Sequence, residues 1–248
     1  MKRLHRLAAL TVLPFVLLSC GSGGKATERT LTDDQLVLMS TVFYDNHLDK
    51  GANFVLNTVS APGGAAITMQ GQVDFVNHLG YATVTGGAQP HPVTQVLWGP
   101  NVVLERRPSA SAELADLMGR RIEFVARTID TAHRRLDAII ATINALAMKT
   151  PENVQLLRQK EGSAFLRNDV LRGTDVLVMR YGRRVILWVD PVSRKLLRFE
   201  GNSANGAMPI IVDLVERVAP RIPSPKKELT VPFDELGAAF LRIAPTSP

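Results

Sequence analysis

Apolar and polar positions alternate through much of the chain. In one stretch Ile67, Met69, Val73 and Phe75 interleave with Thr68, Gln70, Gln72 and Asp74. Successive side chains of a strand point to opposite faces, so a period of two predicts a sheet with one apolar and one wet face. The same signature runs through "NFVLNTVS", which turns at Pro62-Gly63-Gly64, through "YATVTGG", and through "TQVLWGPNVVLERR", which turns at Gly99-Pro100-Asn101. After Pro151 it returns in "SAFLRNDV", "TDVLVMRY", "VILWVD", "KLLRFEGN" and "MPIIVDLVERV", with turns at Gly182-Arg183-Arg184, Asp190-Pro191 and Asn205-Gly206. At Asp190-Pro191 the proline presets φ and the aspartate accepts a turn amide, which suits a type I turn. Connections this short join antiparallel neighbours, and at least eight strands are predicted.

Two segments break the alternation. Thr32 and Gln35 fit a capping box, Asp33 and Asp34 suit the positive end of a helix dipole, and Leu36, Met39, Val42 and Phe43 form a helical stripe. Over residues 109–148, Leu114, Met118, Ile122, Val125, Ile129, Ala132, Leu136, Ile139, Ile143 and Leu146 recur at spacings of three and four. This predicts one long amphipathic helix, with Gly119 as the place where it would divide. Its other face carries Arg120, Arg121, Arg127, Arg134 and Arg135, with Glu123/Arg127 and Asp130/Arg134 spaced as helix ion pairs. That face is either a solvated salt-bridged surface or a stripe for lipid headgroups.

These elements predict an α+β fold in which a strongly curved antiparallel sheet carries helices on its concave face. With strands on both sides of the long helical segment and no linker between, residues 30–248 read as a single domain. The concave lining is predicted to be Ile67, Met69, Val73, Phe75, Trp98, Val176, Val178, Ile186, Trp188, Leu197, Phe199, Ile210 and Val212. Either side chains fill the space they enclose or an apolar cavity remains.

Residues 1–19 read as an export signal: Lys2, Arg3 and Arg6 precede an apolar run from Leu7 to Leu18 that is short for a membrane span. Cys20 follows in "LLSCGSGG" and is the only cysteine, an arrangement that resembles the lipobox of bacterial lipoproteins. The resemblance implies cleavage before Cys20, its acylation, and an anchor on the extracytoplasmic side of the cell membrane, with residues 20–29 as anchor and flexible tether. Disulfides, thiolate catalysis and cysteine metal sites would then be excluded. Removing residues 1–19 leaves 26 basic residues against 23 acidic, lowering the net charge from +6 to +3. That is a mild bias toward anionic partners and not a nucleic-acid footprint.

No catalytic constellation emerges. His5, His47, His78, His91 and His133 are scattered, so no metal and no cofactor are expected. "GNSANG" lacks the spacing of a nucleophile elbow, and phosphate-binding and dinucleotide-binding loops are absent, so no enzymatic activity is expected.

The hairpin with Trp188, Asp190, Arg198 and Phe199 resembles one in the LolA/LolB-like and LppX/LprG-like bacterial lipoprotein carriers. The preceding "LRGTDVLVMRYGRRV", the following "MPIIVDLVERVAPRIPSP" and the opening helix with "NFVLNTVSAPGGAAITMQGQVDF" extend the similarity over most of residues 30–225. The resemblance implies an unclosed β-barrel with helices as a lid over an apolar cavity, and binding of lipid or lipoprotein acyl chains. It also covers sensor-type relatives that bind proteins, so a cell-envelope scaffold with a protein partner is the alternative function. The long arginine-bearing helix departs from the shorter lid helices of that family.

Overall fold

The computed structural model describes residues 28–59, 64–86, 92–202 and 209–237. Cys20, the apolar run from Leu7 to Leu18, Pro62-Gly63, His91 and Asn205-Gly206 lie outside the described residues.

Helix α1 (Asp33–Leu48) starts where its capping box places it. Thr32 Oγ1 accepts from the Gln35 amide at 3.3 Å, and Gln35 Oε1 accepts from the Thr32 amide at 3.1 Å. Its stripe of Leu36, Met39, Val42 and Phe43 is buried.

The strands are β1 (Gly51–Val59), β2 (Ala66–Asp74), β3 (Leu79–Gly86), β4 (Gln95–Trp98), β5 (Val102–Arg106) and β6 (Phe124–Thr128), then β7 (Ala164–Leu171), β8 (Thr174–Tyr181), β9 (Val185–Val189), β10 (Leu196–Asn202), β11 (Pro209–Arg217) and β12 (Thr230–Pro232). They form one curved, open sheet in the order β12-β6-β5-β4-β3-β2-β1-β11-β10-β9-β8-β7. Every neighbouring pair is antiparallel except β12 with β6. With five α-helices among the described residues the class is α+β, as the sequence predicts.

Register assigns the faces, because directly opposed residues share one. Met179, Leu187, Phe199, Val212, Leu56, Met69 and Val84 oppose one another in turn from β8 to β3. This apolar row is the inner face. Val178, Trp188, Arg198, Asp213, Val55, Gln70 and Thr83 form the adjacent row on the outer face.

The single long helix predicted over 109–148 does not form. The segment comprises a 3₁₀ turn (Pro108–Ala110), α2 (Ser111–Met118), β6 and α3 (Arg135–Asn144). Gly119 ends α2 at φ 63°, in the left-handed region where a residue without Cβ is favoured. Next, Phe124–Thr128 takes up the free edge of β5. The three-to-four spacing arose because the apolar residues serve two separate cores. Leu114, Ile122 and Val125 pack with Val231 and Leu236, whereas Ile139, Ile143 and Leu146 join the main core. Glu123/Arg127 and Asp130/Arg134 are therefore not helix pairs: Arg121 is the partner of Glu123, and Asp130 accepts from His133.

Candidate functional site: the inner apolar face

The inner face gathers Phe54, Leu56, Met69, Val73 and Phe75 from β1, β2 and the following turn with Met179, Leu187, Val189, Phe199, Ile210 and Val212 from β8 to β11. Helices α1 and α3 lie on it, adding Met39, Val42, Phe43, Ile139, Ile140 and Ile143 to the same cluster. Most of these side chains are fully buried against one another.

The strand directions define two unlike ends. At one end, where β1 begins and β2 stops, the face is sealed. Here α3 crosses from β6 to the C-terminal half of α1: Trp98 Nε1 donates to Asn144 Oδ1 at 3.1 Å, and Asn46 Nδ2 donates to the Leu146 carbonyl at 2.6 Å. The Trp98 ring occupies the space beside Gly80, where a Cβ would stand 2.0 Å from it. Asp49 closes this end from α1, bound by Lys195 and by Arg217 at 3.3 Å.

At the other end, where β1 and β3 stop and β2, β4 and β9 start, cover is incomplete. Ile67, Val84, Val93 and Val185 are only half-buried there. Short helix α4 (Val154–Gln159) flanks this rim, with Leu156 67% exposed. Tyr181 stacks edge-on against Phe43, donates to Glu152 and carries Lys160 3.6 Å above its ring. Burial and the Glu152 carboxylate both push the Tyr181 phenol up.

A buried ionic cluster lies where α3 meets β5 and β6. Arg127 donates to Glu105 (Nε, 2.8 Å) and to both oxygens of Asp137 (2.6 Å each), and Arg107 reaches the second Glu105 oxygen at 2.7 Å. Burial alone would raise the Glu105 pKa, but the guanidiniums of Arg127 and Arg107 outweigh it and hold the carboxyl below its ordinary range. No local pattern announces this cluster, because its members come together only when β5, β6 and α3 pack, and a single long helix would keep them apart. An open cleft of about 590 Å³ runs beside it, lined in part by Arg127, Asp130, Arg134, Phe233 and Asp234.

The predicted lining divides. Met69, Val73, Phe75, Trp98, Phe199, Ile210 and Val212 are in the inner cluster, and Ile67 shares their parity on β2 at the rim. Val176, Val178, Ile186, Trp188 and Leu197 do not line it. They form a second cluster on the outer face with Leu166 and Leu171. Trp188 is covered there by the Arg167 and Arg198 guanidiniums, 5.1 and 5.4 Å from its ring. The reason is that β8 and β9 are apolar on both faces, so alternation cannot choose one. Arg198 was the available signal: it opposes Trp188, and a charged residue paired to aspartate marks the wet side. The inner positions are instead Leu177, Met179, Leu187 and Val189. Cys20 is outside the described residues.

Among the described residues no helix is long and apolar enough to cross a membrane, and no group of three or more metal-ligating side chains is found. No protein-family model and no curated protein match the chain. Solved structures do. LprF from Mycobacterium bovis is 10% identical, with 77% of this chain and 96% of that one covered and a TM-score of 0.44. A Vibrio parahaemolyticus domain described as an outer membrane lipoprotein-sorting protein is 13% identical, with 77% and 90% covered and a TM-score of 0.27. The Pseudomonas aeruginosa MucA/MucB complex matches at 9% identity, with 78% and 59% covered and a TM-score of 0.36. At about one identical residue in ten, what those chains bind or assemble with is said of them alone.

Proposed function

We propose that this chain is a membrane-anchored extracytoplasmic lipoprotein, acylated at Cys20, whose inner face takes up an acyl chain of a lipid or acylated amphiphile. The observation that carries the proposal is the asymmetry of that face. It is apolar across seven strands from β8 to β3, sealed at one end by α3, and only half covered at Ile67, Val84, Val93 and Val185. An acyl chain entering at this rim gains about 0.8 kcal/mol per buried methylene. It must order itself and part side chains that already touch, so α1 and α4 have to give way. The ionic cluster holds α3 and confines that movement to the rim. The proposal requires no catalytic residue, cofactor or metal.

Native mass spectrometry of protein made without residues 1–20 tests it. The expected result is a retained phospholipid or glycolipid, or uptake of one on addition. A protein that stays ligand-free under both conditions would sink the lipid reading.

The dense packing favours a second reading, an envelope scaffold whose filled interior supports a protein partner. Cross-linking in intact cells separates the two. A partner captured on the segment from α2 to α3, and retained when inner-face side chains are enlarged, supports the scaffold.

A further inference from the structure

The described chain starts at the rim. Arg29 and Phe165 exchange backbone hydrogen bonds at 3.1 and 2.9 Å, which pins the first residues beside the start of β7. Strand direction places the start of β7 at the same end of the sheet as Val84, Val93 and Val185. Glu28 is fixed there too, through Arg180 at 2.6 and 2.9 Å. If Cys20 is acylated, eight residue steps separate the bilayer from Glu28, which stretched out reach about 27 Å. Relaxed, such a tether spans about 16 Å. The sheet itself is about 30 Å from end to end along a nine-residue strand. Turning the sealed end to the bilayer would place Glu28 beyond the tether's ordinary reach.

The rim's chemistry agrees with this orientation. Leu156 stands exposed on α4 with Lys160 at the end of that helix and Arg183 and Arg184 in the turn between β8 and β9; Glu161 pairs with Arg183, and Glu152 accepts from Tyr181 beneath Lys160. Of the sequences joining strands at this end, 60–65, 87–94 and 203–208 contain no Asp, Glu, Lys or Arg, 182–184 brings Arg183 and Arg184, and 107–123, at the β5–β6 side, carries charges of both signs. The sealed end is charged, with Asp45, Asp49, Lys50, Asp190, Arg194 and Lys195.

We propose that the rim around Leu156, Lys160, Arg183, Arg184 and Val185 is a bilayer-docking surface, so that the inner face opens onto the membrane that holds the anchor. This deepens the lipid-binding reading and rests on its anchor at Cys20. Transfer would then occur directly between bilayer and inner face, without a soluble excursion.

The test uses full-length protein, purified from membranes and reconstituted in vesicles of phosphatidylethanolamine and phosphatidylglycerol that carry a trace of diazirine-labelled phospholipid. After photolysis, adducts are expected on residues 154–160 and 183–186, and not on the 190–195 turn. Changing Arg183 and Arg184 to Glu removes two basic side chains worth about fivefold each at an anionic surface, and is expected to lower rim adducts about tenfold or more. Leu156→Asp lowers them too, whereas Val192→Asp, at an exposed site in the opposite turn, leaves them unchanged. Adducts spread equally over both ends, or concentrated on 190–195, overturn the proposal. The mass of the N-terminal peptide from the same sample reports acylation of Cys20 separately. Rim adducts on a protein that takes up no lipid in native mass spectrometry support docking while the uptake reading falls.

Discussion

At the scale of single residues, the cluster of Glu105, Arg107, Arg127 and Asp137 is the most consequential polar feature of the core. All four are buried, so removing one leaves a partner uncompensated in a low-dielectric interior. Asp137→Ala is expected to cost about 3–5 kcal/mol, read as a lower urea midpoint. Glu105 adds a pH dependence. Its folded pKa lies below the unfolded one, so its stabilisation is present above the ordinary value of 4.5 and is lost as pH falls below it. Glu105→Gln is therefore destabilised most at neutral pH, and its gap to the native protein narrows on acidification, as urea melts at a series of pH values would show. Gly80 is constrained sterically. Gly80→Ala pushes a Cβ into the Trp98 ring and is expected to cost about 1–3 kcal/mol by the same measurement.

At the scale of elements, local signals worked where a single cause dominated. The start of α1 was legible because Thr32 and Gln35 cap each other, and Thr32→Ala should cost about 1 kcal/mol in thermal or urea unfolding. The segment 109–148 was misread because periodicity reports that apolar residues recur, not that they face one core. Gly119 was visible as a break, but pairing of residues 124–128 with β5 is a long-range event that no local window contains. The hairpin from β9 to β10 shows the same limit. Its loop is held as the sequence suggests, with Asp190 accepting from the amides of Val192 and Ser193 at 2.8 and 3.3 Å. Its faces were assigned wrongly for Trp188 and correctly for Phe199, because β10 is irregular between Leu196 and Arg198 and shifts parity there.

At the scale of the molecule, the two tryptophans report on opposite faces of the sheet. Trp98 belongs to the inner cluster and Trp188 to the outer one. A bound brominated acyl chain should quench the fluorescence of Trp98 in a Trp188→Phe protein and leave Trp188 bright in Trp98→Phe. The reverse pattern would place the lipid outside. The sequence by itself determined the capped first helix, the antiparallel strands, the turn at Asp190 and the inner parity of β2, because each follows from a local period or a turn residue. Tertiary structure alone decided which face β8 and β9 turn inward, that residues 124–128 form a strand, and that Glu105, Arg127 and Asp137 meet. It also decided which end of the sheet is sealed and that the first described residues sit at the other, since register, edge pairing and helix crossing depend on contacts between residues far apart in the chain.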